Sequence, residues 1–464
     1  MRIYEVLIEY TSSSLDRPFS YVYKGEEEIK LYTRVLVPFN NRLVCGFVLN
    51  ILESDITEDE YKQKTGFILK EIHTVIDKEP LLTSKLNDLA YQVKDYYFAP
   101  LISVYFAMLP PSLKPQSGYD NKPKIAYETF VKPAINATLD NLTTKQAEVL
   151  YQVMQKGEMK KSEFPDFIVK KLVEKGKLLI YNVEKSRLKL SEVNQVNDLV
   201  LNEEQQKAYD TIISNPGETF LLDGVTGSGK TEVYLQVSRK IIESGKTVLM
   251  LVPEITLTYQ MVKRFKERFD RIAILHSSLT YAQRYDEYRR ISKGEVDIVI
   301  GARSAIFAPL DNIGLIIIDE EHSETYKQED QLPYYNALEV AKMRKNQEFC
   351  SLLLGSATPS LETKTRALKG VYKHLKLTKR VNDLELPKVS VVDMANRENI
   401  DMKSTIISRP LRVAIEERLT NKEQVILLVN RRGYSPYVSC RSCGYVLKCP
   451  ECKIAQLIIK KMRD

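Results

Sequence analysis

Gly224-Val225-Thr226-Gly227-Ser228-Gly229-Lys230-Thr231 is the stretch that decides the fold. It satisfies the phosphate-loop pattern, and its flanks agree: the apolar run Thr219 to Leu222 precedes it, and an amphipathic helix opens at Thr231. Glycines let backbone N–H groups turn inward around phosphates, and the N-terminus of the following helix adds positive potential. Lys230 is placed to reach the β and γ phosphates of ATP, and the Thr231 hydroxyl to ligate Mg²⁺. Every residue of the stretch is therefore a candidate ATP-binding position.

Outward from this loop, apolar runs alternate regularly with helical segments: Phe220 to Leu222, Thr247 to Leu251, Ile272 to Leu275, Ile298 to Ile300, Leu315 to Ile318 and Ser351 to Leu354. Strands that are apolar throughout and separated by helices predict an α/β fold with a parallel sheet covered on both faces. Asp319-Glu320-Glu321-His322 follows one of these strands directly. A carboxylate pair at the C-terminal edge of a parallel strand is where this architecture places a Mg²⁺ partner and a water activator. Lys230, Asp319 and Glu320 are thus the candidate catalytic residues, with Asp319 on Mg²⁺ and Glu320 orienting the attacking water. Glu321 has a rival reading as a helix cap. Gly355-Ser356-Ala357-Thr358-Pro359-Ser360 follows the next strand, where small hydroxylated residues can bond the acidic motif.

These three motifs in this order resemble helicase superfamily 2, and further stretches resemble the primosomal replication-restart helicases specifically. They are Leu251-Val252-Pro253-Glu254-Ile255, His276-Ser277, Gly301-Ala302-Arg303-Ser304-Ala305-Ile306-Phe307-Ala308-Pro309, Tyr326-Lys327-Gln328-Glu329 and Asn430-Arg431-Arg432-Gly433-Tyr434. The resemblance implies a RecA-like motor lobe and the start of a second lobe. It implies an aromatic-rich loop in which Tyr326, Tyr334 and Tyr335 stack on single-stranded DNA, with Arg303 and Lys327 beside them. It also implies that Gln205, in Leu201-Asn202-Glu203-Glu204-Gln205, reads the adenine.

Ahead of the motor, Tyr32 to Pro38 and Leu43 to Ile51 read as strands joined at Asn40-Asn41, and Leu82 to Tyr97 reads as a helix. Arg17-Pro18-Phe19-Ser20-Tyr21 and Val35-Leu36-Val37-Pro38-Phe39 resemble the family's N-terminal domain, which captures the 3′ end of a nascent strand at a fork. By that resemblance Phe19, Tyr21 and Lys70 line the pocket; the alternative is that both aromatics belong to the core. Pro111 to Pro133 reads as a linker. Helices near Thr144 to Met154, Lys160 to Phe164 and Asp166 to Lys175, then a strand at Leu178 to Val183, make a winged-helix pattern. Its lysine-rich stretch, Lys156 to Lys177, suits either DNA or a solvated face. The expected domains are 1–110, a linker at 111–135, a winged helix at 136–200, the first motor lobe at 201–385 and part of a second lobe at 386–464.

Four of the six cysteines crowd into Cys440-x2-Cys443-x5-Cys449-x2-Cys452, a Zn²⁺ signal in a reducing cytoplasm rather than a disulfide framework. The spacer is short for two knuckles on one ion; the resemblance implies eight cysteines in two sites, and with four of them in this stretch weak or substoichiometric zinc is expected. The resemblance covers 1–452, and the last residues to Asp464 no longer follow it. A second lobe interrupted there implies ATP binding with poor hydrolysis and no unwinding. No apolar run reaches membrane-spanning length, which argues against a membrane partner. The net charge of +7 only weakly favours a polyanion. The residues alone support a P-loop ATPase coupled to nucleic acid. The resemblance adds an ATP-dependent 3′-to-5′ DNA helicase that recognises stalled or branched forks, with forked and single-stranded DNA, primosome proteins and single-strand-binding protein as partners. Rival readings are another superfamily 2 translocase and a non-catalytic protein that binds fork DNA and ATP.

Overall fold

A computed structural model describes residues 1–55, 57–114, 125–188, 194–253, 259–381, 388–401 and 404–428. The chain divides into two compact units, Met1–Leu384 and Glu385–Asp464. The first opens with a six-stranded sheet of β1 (Arg2–Ile8), β2 (Phe19–Val22), β3 (Arg34–Phe39), β4 (Arg42–Glu53), β5 (Lys70–Glu71) and β6 (Thr74–Val75), in the order β5-β2-β1-β4-β3-β6. Phe39 pairs with Arg42, so Asn40 and Asn41 alone make the β3–β4 turn. Both have positive φ, 47° and 61°, which asparagine tolerates and a two-residue hairpin requires. Helices α1 (Glu58–Thr65), α2 (Ser84–Tyr97) and α3 (Leu101–Met108) accompany this sheet.

A second sheet holds β7 (Tyr127–Pro133), β8 (Met159–Lys160) and β9 (Leu178–Glu184) in the order β8-β7-β9, with α4 (Thr144–Lys156) and α5 (Asp166–Glu174). Val131, Leu150, Val153, Val169, Leu172 and Leu178 form its core. Here the linker expectation at 111–135 is corrected. Tyr127–Pro133 is a strand paired along its length with β9, and Val131 is fully buried. The prolines that suggested a linker sit at the strand's end or before it, and the short Tyr127–Pro133 alternation was too brief to outweigh them.

The motor sheet contains β10 (Thr219–Gly224), β11 (Thr247–Leu251), β12 (Ile272–Leu275), β13 (Ile298–Gly301), β14 (Ile313–Asp319), β15 (Ser351–Ser356) and β16 (Lys373–Leu377). It runs β12-β13-β11-β14-β15-β10-β16, with every neighbouring pair parallel. The expected α/β lobe with a parallel sheet is present, joined by the edge strand β16, whose alternating Lys373-His374-Leu375-Lys376-Leu377 carries too few apolar residues to stand out. Helices α6 (Glu203–Ser214), α7 (Lys230–Glu243), α8 (Tyr259–Lys266), α9 (Tyr281–Ser292), α10 (Ala337–Glu348) and α11 (Leu361–Leu368) cover it.

Alternate residues of each strand feed separate cores. Phe220, Leu222, Leu315 and Ile317 pack on one face with Val233 and Val237 of α7. Leu221, Ile316 and Ile318 pack on the other with Phe307 and Val340, and that same core continues into Leu86, Leu89, Val93 and Tyr105 of α2 and α3. The N-terminal helices are therefore built into the motor's core, and both share the first unit. In the second unit, β17 (Ile400–Asp401) and β18 (Ser404–Ser408) pair antiparallel ahead of α12 (Arg409–Thr420).

Candidate nucleotide and nucleic-acid site

Three strand ends meet at one edge of the motor sheet. β15 lies between β10 and β14, and the register sets Asp223 beside Ser356 and Asp319 beside Gly355. The phosphate loop, the acidic motif and the small hydroxylated motif consequently emerge side by side. Residues 225 to 229 turn from β10 into α7, with Gly227 and Gly229 at φ of 83° and 79°, where side chains are disfavoured. The loop is pinned from behind: Val225 N–H donates to Leu377 O at 3.1 Å, and Val381 N–H to Gly227 O at 3.0 Å. Lys230 Nζ donates to Gly224 O at 2.8 Å, which holds its ammonium over the loop.

Gln205 fastens α6 to this loop. Its side chain closes a capping box with Asn202, and its Nε2 donates to Ser228 O at 2.9 Å. A Cβ on Gly229 would come within 2.3 Å of that nitrogen, so glycine is needed here twice over, for φ and for space. The nucleotide-reading candidate is thus also a brace of the loop. Ser228 Oγ is buried and has no hydrogen-bond partner among the described residues, a polar atom left inside the loop.

Asp319 ends β14 and is 7% exposed. Tyr234 of α7 donates its hydroxyl to Asp319 Oδ1 at 2.9 Å. Burial raises the Asp319 carboxyl above its ordinary value; the Tyr234 bond and the Lys230 charge oppose that rise, and Glu320 adds to it. Burial likewise pushes the Tyr234 phenol well up, so it stays a donor. Glu320 adopts φ of 47°, a left-handed backbone that costs a non-glycine residue energy and turns it away from the strand. His322 Nδ1 lies 3.6 Å from Glu320 Oε2 and 2.8 Å from Ser356 Oγ, which joins the acidic motif to the Gly355–Ser360 segment. Glu321 braces the start of α11, whose N-cap is Ser360. Its carboxylate accepts from Ser360 N–H at 2.7 Å and Thr363 Oγ1 at 2.9 Å.

A cavity of 640 Å³ opens over these residues, lined by Gln205, Thr226 to Thr231, Asp319 and Glu320. Its far wall comes from residues that no motif flagged: Val196, Leu199, Val200, Arg264, Arg268 and Val381. Arg268 is nearly buried and bonds Asp198 and Glu232 at once. Glu232 also accepts from Leu199 N–H at 3.1 Å, so the segment before α6 is strapped onto α7. Only the fold brings these positions together; nothing in their spacing could have marked them. The donor set fits a magnesium nucleotide: a glycine cradle that a Cβ would fill, one ammonium, hydroxyls at Ser228 and Thr231, and a buried carboxylate.

The DNA candidates form two groups. Tyr21 pairs with Lys70 across β2 and β5. Tyr21 is buried and Lys70 exposed, while Phe19 is half-buried against Phe39 at 5.1 Å with the Arg17 guanidinium 5.3 Å from its ring centroid. In the motor, Arg303 Nη1 donates to Lys327 O at 2.5 Å, and its guanidinium lies 5.9 Å from the Tyr335 ring. Tyr326 and Tyr335 are buried, Tyr326 donating to Asp319 O at 2.6 Å, and their faces are covered. Tyr334 is the exposed ring of the three, at 48%. Cys440, Cys443, Cys449 and Cys452 lie outside the described residues, and no group of three or more His, Cys, Asp or Glu suited to a metal ion occurs among the described ones.

Known proteins match both halves of this arrangement. A family described as DEAD/DEAH box helicase matches residues 202–367, and one described as 3′DNA-binding domain (3′BD) matches residues 5–110. The chain is 36% identical to replication restart protein PriA of Bacillus subtilis, over 98% of this chain and 65% of that protein. It is 37% identical to that of Haemophilus influenzae, over 95% and 60%, and 45% identical to that of Synechocystis, over 62% and 35%. The chain therefore spans less than two thirds of these relatives. Across its own length, with a match to a 3′DNA-binding domain ahead of a match to a DEAD/DEAH box helicase domain, it belongs to the PriA family of replication restart proteins.

Proposed function

We propose that this chain carries the ATP-binding and 3′-end-reading parts of a 3′-to-5′ DNA helicase that recognises stalled or branched replication forks and starts primosome assembly. The observation that carries this reading is the fusion of the two modules: α2 and α3 of the 3′DNA-binding domain lie in the same core as the strands that end in the phosphate loop and Asp319. In this reading Gln205 reads adenine with the remaining hydrogen of its amide. Lys230 holds the β and γ phosphates, and Thr231 and Asp319 hold Mg²⁺. The metal, when bound, neutralises charge on the transferring phosphoryl group. Glu320 orients water, and His322 with Ser356 passes the state of the site toward α11.

On the DNA side, Phe19, Tyr21 and Lys70 take the free 3′ end, with Phe19 offering the accessible ring, while Arg303, Lys327 and Tyr334 hold the single strand. Cys440, Cys443, Cys449 and Cys452 are proposed zinc ligands on their spacing alone, and a cytoplasmic setting with primosome proteins and single-strand-binding protein follows from the family. The direct test compares binding to forks whose 3′ leading-strand end is free or blocked. Tighter binding to the free end is expected, and equal affinity would remove the end-reading pocket from the account.

A further inference from the structure

Three exposed aromatic rings gather where the last turn of α2 meets the segment that leads from the acidic motif into α10. Tyr334 is 48% exposed, Tyr96 56% and Phe98 94%. The buried side of α2, with Leu86, Leu89, Ala90 and Val93, is used up in the shared core, and Tyr96 and Phe98 stand outside it. Tyr97 fastens the helix end to the loop. Its hydroxyl accepts from Asn336 N–H at 3.0 Å, and the Lys327 ammonium lies 5.6 Å from its ring centroid. Lys327 and Asn336 pair with each other across the base of the loop that carries Tyr334, and Lys327 Nζ donates to Tyr334 O. On its other side the Tyr97 ring meets Tyr96 edge-on, with centroids 4.8 Å apart. Tyr96, Tyr97, Lys327 and Tyr334 are therefore one contiguous series that runs from the N-terminal domain into the motor lobe.

Phe98 ends α2 at φ of 50°, a left-handed backbone that glycine adopts freely and phenylalanine only at a cost. Neither burial nor backbone preference accounts for a phenylalanine there. Fixed charge lies beside the rings, from Lys327 and from Arg303, which donates to Lys327 O. Aromatic rings interleaved with cations suit a single strand, because any base can stack while the phosphates meet the charge. We propose that Tyr96 and Phe98 stack bases of single-stranded DNA, extending the Tyr334 platform onto the N-terminal domain. The strand is then held by both modules, with its phosphates on Lys327 and Arg303. This rests on the DNA-binding reading above, and it adds two base contacts that no motif contains.

The test is single-stranded DNA affinity across a salt series, for the chain and for Tyr96→Ala, Tyr96→Phe, Phe98→Gly and Phe349→Ala. Tyr96→Ala and Phe98→Gly should each bind about 5- to 100-fold more weakly, the loss of one stacked base. Neither should alter the slope of log affinity against log salt, because stacking releases no counterion. Tyr96→Phe keeps the ring and should keep the affinity. A strand of abasic sites should bind the chain and these variants alike. Phe98→Gly also relaxes the left-handed backbone, so its melting temperature should be equal or higher, which separates lost binding from lost fold. Phe349 is the control: it is 85% exposed with φ of 52°, but it follows α10 at the end away from Asn336, about 18 Å along the helix. Phe349→Ala should bind as the chain does. Mg-ATP binding without DNA should be unchanged in all four, since none of these residues lines the nucleotide cavity. Phe98→Gly carries the decision. If the chain binds the strand and Phe98→Gly binds it as tightly, this proposal is overturned while the DNA reading stands; if the chain binds no DNA, both fall. Self-association of the chain that Phe98→Gly abolishes, with DNA affinity untouched, would assign the rings to an interface between copies instead.

Discussion

Tyr234→Phe removes one oxygen from the point where the phosphate-loop helix meets the acidic motif. The hydroxyl is buried and donates at 2.9 Å to a carboxylate that is itself almost wholly buried. It packs so closely that a Cβ on Gly355 would lie 1.7 Å from it. Phenylalanine fits the same space, so no cavity or overlap complicates the comparison. A hydrogen bond to a charged group is worth about 1.5 to 3 kcal/mol, against roughly 1 kcal/mol between neutral groups. At neutral pH, with Asp319 ionised, the variant should lose about 2 kcal/mol. In a lobe of this size that lowers the nucleotide-free melting transition by about 4 to 8 °C. The sign with pH follows from linkage. The Tyr234 bond lowers the Asp319 pKa, so the variant's Asp319 sits higher still, and the gap between the two proteins must shrink as acid protonates it. Melting curves stepped downward from about pH 7.5 should show the difference narrow, toward roughly half once the charged bond has become a neutral one. A gap that stays constant or widens on acidification would refute the Tyr234–Asp319 reasoning.

Asp319→Asn should separate stability from chemistry. Its folded pKa is raised, so its contribution to stability is complete below the unfolded pKa and is lost as pH rises through the folded one; at neutral pH the ionised group is a burden until a cation meets it. Nucleotide-free melting at neutral pH should therefore be unchanged or higher in the variant while the magnesium dependence of ATP binding is lost, and a marked drop in melting temperature would contradict the burial argument. Arg344 is buried under α10, donating to Ile306 O at 2.5 Å and Ala308 O at 2.8 Å, with its guanidinium pushed down to about 10 by burial. Arg344→Met should cost about 3 kcal/mol or more by orphaning those carbonyls, read as a lowered melting temperature, and a loss under about 1 kcal/mol would show that they find other donors.

The motor sheet was legible because its strands are apolar on both faces and end in motifs whose chemistry needs fixed spacing. Phe220 to Leu222 and Leu315 to Ile318 announce themselves in this way. β16 did not, since an edge strand carrying Lys373, His374 and Lys376 is half polar. β7 was hidden by flanking prolines. The fusion of the two modules was equally silent, because the apolar face of α2 does not say what it packs against. In the site, local motifs marked Lys230 and Asp319, whereas Arg268 and Leu199 are ordinary residues until the fold brings them to the cavity, and Tyr234 is one until its hydroxyl meets Asp319. Tyr326 and Tyr335 show the reverse limit. An aromatic-rich segment reads the same whether its rings face DNA or the core, and here both lie in the core with only Tyr334 offered outward.

Equilibrium binding of Mg-ATP to the chain and to Lys230→Ala tests most directly whether the cavity over β10 and β14 is the nucleotide site. Lys230 Nζ sits over the loop on Gly224 O, and removing a charged donor of this kind costs about 1.5 to 3 kcal/mol, or roughly 10- to 100-fold in affinity. The account predicts measurable Mg-ATP binding to the chain and a loss of that size in the variant, with the fold intact by circular dichroism. Equal affinity in the two proteins would contradict it.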